Sequence, residues 1–106
     1  MQIAEVRGFA LSLPETSEEP HFEKTSFRVG KKIFATVPPG DGVLHVFVDE
    51  EESRACVAQD PETFEELLWG KKLMGLRVVL EGADADHVRE LLDEAWRRKA
   101  PQRLIR

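Results

Sequence analysis

Apolar residues recur every three or four positions at the start of the chain and every second position further on. Ile3, Val6, Ala10 and Leu13 fall on one stripe of a helix over residues 2–13. Pro14 ends that helix, because its ring blocks the next helical turn. Between Thr25 and Val29 the period becomes two, with Thr25, Phe27 and Val29 on one face of a strand. Lys32 to Val37 is a second β-prone run. Gly30 and Lys31 between them predict a two-residue hairpin turn, where glycine supplies the positive φ such turns need. Ahead of the hairpin, the polar connection Glu15 to Glu19 leads into a short edge strand around Glu18 to His21. Pro38-Pro39-Gly40-Asp41-Gly42 marks a turn. Val43 to Val48 is then a third strand. Leu44, Val46 and Val48 face one way and Val43 and Phe47 the other, so it is central, with His45 beside Val43 and Phe47.

Asp49 is a good N-cap, and Glu50, Glu51 and Glu52 fill the first turn of a helix running to about Gln59. Asp60-Pro61-Glu62 looks like another helix start, which predicts a short helical turn through Phe64 to Leu67. Gly70 and Gly75 bracket a basic loop, Lys71-Lys72-Leu73-Met74. Leu76 to Glu81 is the last strand. Asp84 caps a final helix with Val88, Leu91, Leu92, Ala95 and Trp96 inward, and Pro101 stops it. The sum is one domain over residues 1–106. It is an α+β two-layer sandwich, an antiparallel sheet with helices on one face, in the order α-β(3)-α-β(2)-α.

Composition narrows the function classes. Of the 106 residues, 42% are hydrophobic and 33% charged, enough apolar surface for one core without disulfide or metal. The single cysteine, Cys56, forbids an internal disulfide and fits a reducing cytosol. No signal peptide is visible, and no apolar run approaches the roughly 20 residues of a membrane span. A cytoplasmic location and no membrane partner are expected. The net charge of −5 argues against a general nucleic-acid binder, which holds phosphates with Lys and Arg. Yet the charge is segregated. Residues 24–36 carry four basic groups and no acid, residues 67–80 three and none, and residues 97–106 five and none. Eight acids crowd residues 49–66. Overall charge is therefore a poor guide to any one face.

The candidate chemistry follows from those basic stretches. Lys24, Arg28, Lys31 and Lys32 lie in or beside the hairpin, and a β-ribbon with a cationic tip can track phosphates. Lys71, Lys72 and Arg77 extend the patch if the two loops lie at one end. The bland alternative is a solvated edge where lysines block strand-to-strand aggregation. Arg97, Arg98, Lys99 and Arg103 read first as cations completing a helix C-terminus, and second as phosphate contacts. Trp96 is expected in the core at helical spacing from Leu92, and Trp69 in the core as well. If exposed, Trp69 would stack on a base or anchor a partner. His21, His45 and His87 are far apart and lack the spacing of metal ligands, so no metal site is expected. Cys56 reads as a small buried hydrophobe. No phosphate loop, dinucleotide glycine pattern or serine elbow is present, so no catalytic residues and no cofactor are expected.

Three stretches resemble a known family. Pro20-His21-Phe22, Lys24-Thr25-Ser26-Phe27-Arg28-Val29 and Lys32-Ile33-Phe34-Ala35 are similar to the opening motif of the MmcQ/YjbR-like family. So are Val78 and Leu80 in the last strand, Leu91-Leu92-Asp93-Glu94-Ala95-Trp96, and Ala100-Pro101. One departure is that Leu76, not an aromatic residue, follows Gly75. The resemblance implies a small bacterial cytoplasmic protein with the two-layer fold of secretion chaperones and a double-wing DNA-binding appearance. It implies no catalytic residues. The expectation is a non-enzymatic protein, monomeric or weakly dimeric, that binds DNA through Lys24, Arg28, Lys31, Lys32, Lys71, Lys72 and Arg77. The alternative is a protein-interaction or chaperone-like adaptor using the exposed sheet face, with small-molecule binding ranked behind it.

Overall fold

A computed structural model describes residues 1–40 and 42–105; Asp41 of the Pro38–Gly42 turn and Arg106 of the basic tail lie outside the described residues. The elements in chain order are α1 (Ile3–Ser12), β1 (Thr16–His21), β2 (Lys24–Val29), β3 (Lys32–Val37), β4 (Val43–Val46), α2 (Glu50–Gln59), β5 (Phe64–Trp69), β6 (Lys72–Val79) and α3 (Ala85–Lys99). The strands form one antiparallel sheet in the order β1-β2-β3-β4-β6-β5. Helices cover one face. The helix–strand order is the expected one, except that the short edge strand β1 makes the first run four strands long instead of three.

Local chemistry fixes the element ends. Asp49 accepts a hydrogen bond from the Glu52 N–H at 2.8 Å and starts α2, while Asp84 accepts from Asp86 N–H at 3.2 Å and starts α3. Gly30 (φ 55°) and Lys31 (φ 67°) both sit in the left-handed region, the geometry of the tight hairpin turn that matches strand twist. The helical face of the sheet then packs Phe27, Phe34, Leu44, Val46, Leu76 and Val78 against Val6, Ala10, Val88, Leu91, Leu92, Ala95 and Trp96, all buried. Trp96 is core, as expected. Its indole N–H donates to the Pro14 carbonyl at 3.1 Å and ties α3 to the end of α1.

Strict alternation fails once in the hairpin, and the failure shapes the rest. Phe27 pairs with Ala35 and Arg28 with Ile33, so Phe34 is an extra residue on β3. This β-bulge lets the neighbours Phe34 and Ala35 both be fully buried. Beyond it the faces are reset, and Ile33 joins Thr36 on the side away from the helices.

Four expected boundaries are corrected. Phe64 to Leu67 is strand, not a helical turn. Asp60 does close one turn, accepting from Thr63 N–H at 3.2 Å and Phe64 N–H at 3.0 Å. The chain then finds the free edge of β6, and a full ladder of hydrogen bonds outweighs local propensity. The basic segment is not a loop from Lys71 to Met74: Gly70 and Lys71 make the turn, and Lys72 already pairs with Trp69. β6 thus begins at Lys72 instead of Leu76 and ends at Val79, where Leu80–Gly82 winds into a 3₁₀ turn. β4 ends at Val46, two residues early.

Gly75 of β6 lies directly beside that end. A Cβ added there would overlap the Val46 carbonyl oxygen and lie 2.9 Å from the Phe47 Cα, both backbone atoms that cannot move aside. β4 crosses β6 closely only because Gly75 has no side chain. Gly75→Ala is expected to destabilise the fold by about 3 kcal/mol through forced backbone displacement. Urea denaturation measures it, and a loss under about 1 kcal/mol would mean that this crossing yields easily.

Candidate functional site

Among the described residues, no helix covers the second face of the sheet. The register draws a polar row across it, strand by strand: Glu19, Ser26, Thr36, His45, Arg77 and Glu65 stand side by side from β1 to β5. Ser26 is satisfied, donating to the Glu19 carbonyl at 2.8 Å and accepting from Arg28 Nε at 2.9 Å. Arg28 also reaches the Pro20 carbonyl at 3.3 Å, so its guanidinium lies back along the β1–β2 edge. Arg77 lies 3.9 Å from Glu65. Thr36 is different. It is almost fully buried, and its hydroxyl has no hydrogen-bond partner, which is uncommon for a buried polar group.

Around this row the face is concave and apolar. A cleft of about 810 Å³ runs from the β1–β2 turn, past Ile33, Thr36, His45 and Phe47, to Leu67, Trp69 and Met74. Its two ends carry exposed aromatic rings. Phe22 is 94% exposed and Trp69 78%, with Leu68 at 54% beside it. Trp69 is therefore not core, contrary to expectation. As the last residue of β5 it faces the same side as Leu67 and Glu65, where no helix lies. Phe22 also holds a left-handed backbone (φ 59°), costly for a bulky residue, with its ring edge-on to His21 at 4.8 Å. Lys24 lines the same end of the cleft.

The second feature is a basic end. β3 and β6 flank β4 and are both antiparallel to it, so they start at the same end of the sheet. The Gly30-Lys31 and Gly70-Lys71 turns, with Lys32 and Lys72, therefore lie together. The C-terminus of α3 joins them. Arg98 donates to the Phe47 carbonyl at 2.7 Å, and the Pro101 ring packs against Gly30. Burial holds the Lys99 ammonium below its usual range, and the nearby charges of Arg98, Lys32 and Lys72 add to this. Among the described residues, no carboxylate lies within 4.0 Å of Lys31, Lys32, Lys71, Lys72, Arg98 or Lys99. Arg97 and Arg103, by contrast, are paired with Asp93 (2.9 Å) and Glu15 (2.6 Å).

The seven residues expected from the sequence thus divide. Lys31, Lys32, Lys71 and Lys72 form the basic end; Lys24 and Arg77 flank His45 in the open face; Arg28 lies along the edge. Sequence reasoning kept Arg98 and Lys99 apart from the hairpin patch, as helix-end cations first and phosphate contacts second, and it missed Thr36, His45 and Phe22 as parts of the cleft. The joint placement of the cations was hidden because the basic residues are spread over about 70 positions of the chain. Away from this face, the only convergent set of metal-ligand types among the described residues is Glu52, Cys56 and His87, between α2 and α3. Burial and then the Glu52 carboxylate push the Cys56 thiol up to about 12, so it stays protonated and is no nucleophile at neutral pH.

His45 responds to its setting in a testable way. Burial first, then the charges of Lys24 and Arg77, lower its pKa below the usual 6.5. Above 6.5 the ring is neutral in folded and unfolded chains alike. As pH falls through that value, the unfolded chain takes up a proton that the folded chain resists, so stability is lost until the lower folded value is passed. Replacing His45 by Gln is expected to flatten the fall in denaturation midpoint below pH 6.5. Parallel acid limbs for the two proteins would exclude His45 as their source.

The comparison with known proteins adds a family and a fold. Among curated proteins, none matches the chain. The fold is similar to the crystal structure of Deinococcus radiodurans protein DR2400, which carries the domain DUF419. The two share 24% identity over 91% of this chain and 77% of that one, with a TM-score of 0.80. Residues 11–98 match the model of the YjbR family, a span that takes in all six strands and nearly all of the last helix. The chain belongs to the YjbR family.

Proposed function

We propose that this protein binds single-stranded nucleic acid across the open face of its sheet. The observation that carries the reading is the placement of exposed Trp69 beside Lys72, its cross-strand partner, within the cluster of cations free of carboxylates. Single strands are held by two kinds of contact that need each other. Cations track the phosphates, and aromatic faces stack on the bases. Here Lys31, Lys32, Lys71 and Lys72 supply the first, and Trp69 and Phe22 supply the second at opposite ends of one cleft. An uncovered sheet face bearing aromatic rings is a recurrent platform for unpaired bases. A cationic ribbon alone would suit a duplex equally well; the exposed rings favour a strand whose bases are free. The overall charge of −5 does not oppose this, because among the described residues no carboxylate pairs with the lysines of the two turns. The same reading keeps the protein non-enzymatic and, with its lone thiol, in a reducing cytosol.

A second reading has its own support. The cleft is mostly apolar, with Leu68 and Trp69 exposed side by side at one end and Phe22 at the other. Such a face suits a peptide segment of a protein partner, the adaptor alternative.

Fluorescence anisotropy with short single- and double-stranded DNA, over a range of salt, separates the two. Nucleic-acid binding predicts a preference for the single strand. It also predicts a slope of log K against log salt of about −3, as expected for four phosphate contacts. Lys31→Glu with Lys32→Glu lies on exposed turn positions and should abolish binding while leaving the thermal transition unchanged. Trp69→Ala should weaken binding by about 1–3 kcal/mol, the value of one stacked base. Absence of binding at low salt would sink the nucleic-acid reading and leave the peptide-binding face as the better account.

A further inference from the structure

The helical layer holds a second cluster that neither the fold nor the open face explains. α2 packs on β5 and β6, and α3 on β3 and β4. Between the two helices, the Cys56 Sγ lies 3.6 Å from Glu52 Oε1 and 3.8 Å from His87 Nε2, and the three ligand atoms all fall within 4.8 Å of one another. We propose that Glu52, Cys56 and His87 bind a single divalent transition-metal ion of the zinc type, which cross-links α2 to α3.

The distances fit that coordination. A tetrahedral zinc ion with a sulfur ligand at about 2.3 Å and a nitrogen or oxygen at about 2.0 Å holds those atoms roughly 3.5 Å apart. The observed 3.6 and 3.8 Å need only a few tenths of an ångström of adjustment, while the Glu52–His87 pair, held only to within 4.8 Å, closes by rotation of the partly exposed Glu52 side chain. The framework is rigid. Glu52 and Cys56 are four residues apart, so one turn of α2 presents both on the same face. His87 comes from the first turn of α3, and its ring is set edge-on against Phe64 with centroids 5.2 Å apart.

The donor chemistry selects the ion. A thiol sulfur, an imidazole nitrogen and one carboxylate oxygen suit zinc and its neighbours in the first transition row. They do not suit calcium or magnesium, which take oxygen ligands. The charge closes as well. On binding, the Cys56 thiol loses its proton to solvent, and the dication meets one thiolate and one carboxylate with no net charge left over. Among the described residues Glu52 makes no ion pair, although Glu50 in the same turn is held by Arg54 at 2.7 Å. A cation in the cluster would give the Glu52 carboxylate its missing partner. Three protein ligands leave a fourth position for water or for a group brought by a partner.

The full chain, freed of metal by a chelator and kept reduced, would be titrated with Co²⁺ and then with Zn²⁺. The site predicts a thiolate-to-cobalt charge-transfer band saturating at one equivalent, visible bands of tetrahedral intensity, and displacement of both by Zn²⁺ together with a rise in Tm. Cys56→Ser should remove the charge-transfer band. Because Cys56 is buried and its replacement disturbs the packing around it, Glu52→Gln and His87→Gln provide the second test at partly exposed positions. Each should weaken Zn²⁺ by at least about tenfold, the least that loss of a ligand or its support costs. A folded protein with no charge-transfer band, or one whose Zn²⁺ affinity is unchanged in both Gln variants, would overturn the proposal. Cys56 would then be a thiol that does no more than hydrogen-bond Glu52.

Discussion

Everything in this fold depends on covering one face of a six-stranded sheet and only one. Three helices supply the cover. The inward residues of β2, β3, β4 and β6 meet them at zero or near-zero exposure. That burial is the main favourable term in folding, and it dictates strand register: a slip of one residue would turn Leu44, Val46, Leu76 and Val78 to water. The bulge at Phe34 is part of the same constraint. It adds one large ring to the core where the alternation alone would have spent it on the other side.

The uncovered face inherits its character from this arrangement. Residues that alternate with the core must point outward, and on the central strands these are Thr36, His45 and Arg77. They form a polar floor between apolar walls. Burial first, and then the positive charges of Lys24 and Arg77, make the His45 ring on that floor resist a proton. At the basic end, the antiparallel run of β4 forces the starts of β3 and β6 to one side, and α3 delivers its basic terminus there after crossing the sheet. Like charges gather at this end at some cost. Salt or an anion relieves that repulsion.

Two regions carry unspent chemistry on opposite sides of the sheet. On the open face, cations and exposed rings stand unpartnered at the surface. In the helical layer, a thiol, an imidazole and a carboxylate converge from two helices that each rest on different strands. The sheet separates them, so ligands at one do not touch the other.

Much of this was legible in the chain. Helical stripes in α1 and α3, the acids and N-caps of α2 and α3, the tight Gly30-Lys31 turn and the fold class all rest on contacts within a few residues. Local sequence determines such contacts by itself. Where a segment's state depended on a distant strand, the sequence misled. Phe64 to Trp69 has the start of a helix but becomes a strand because β6 offers an unpaired edge. Trp69 has the composition of a core residue but lies on the face no helix reaches. Gly75 looks like a loop boundary but sits inside a strand, where another backbone passes too close for a side chain. The functional groupings belong to the same class. Lys32 meets Lys72 and Lys99, and Cys56 meets His87, only after the sheet has brought residues tens of positions apart into contact. One-dimensional spacing carries no trace of such meetings, because strand order and helix placement, not sequence separation, decide which side chains face one another.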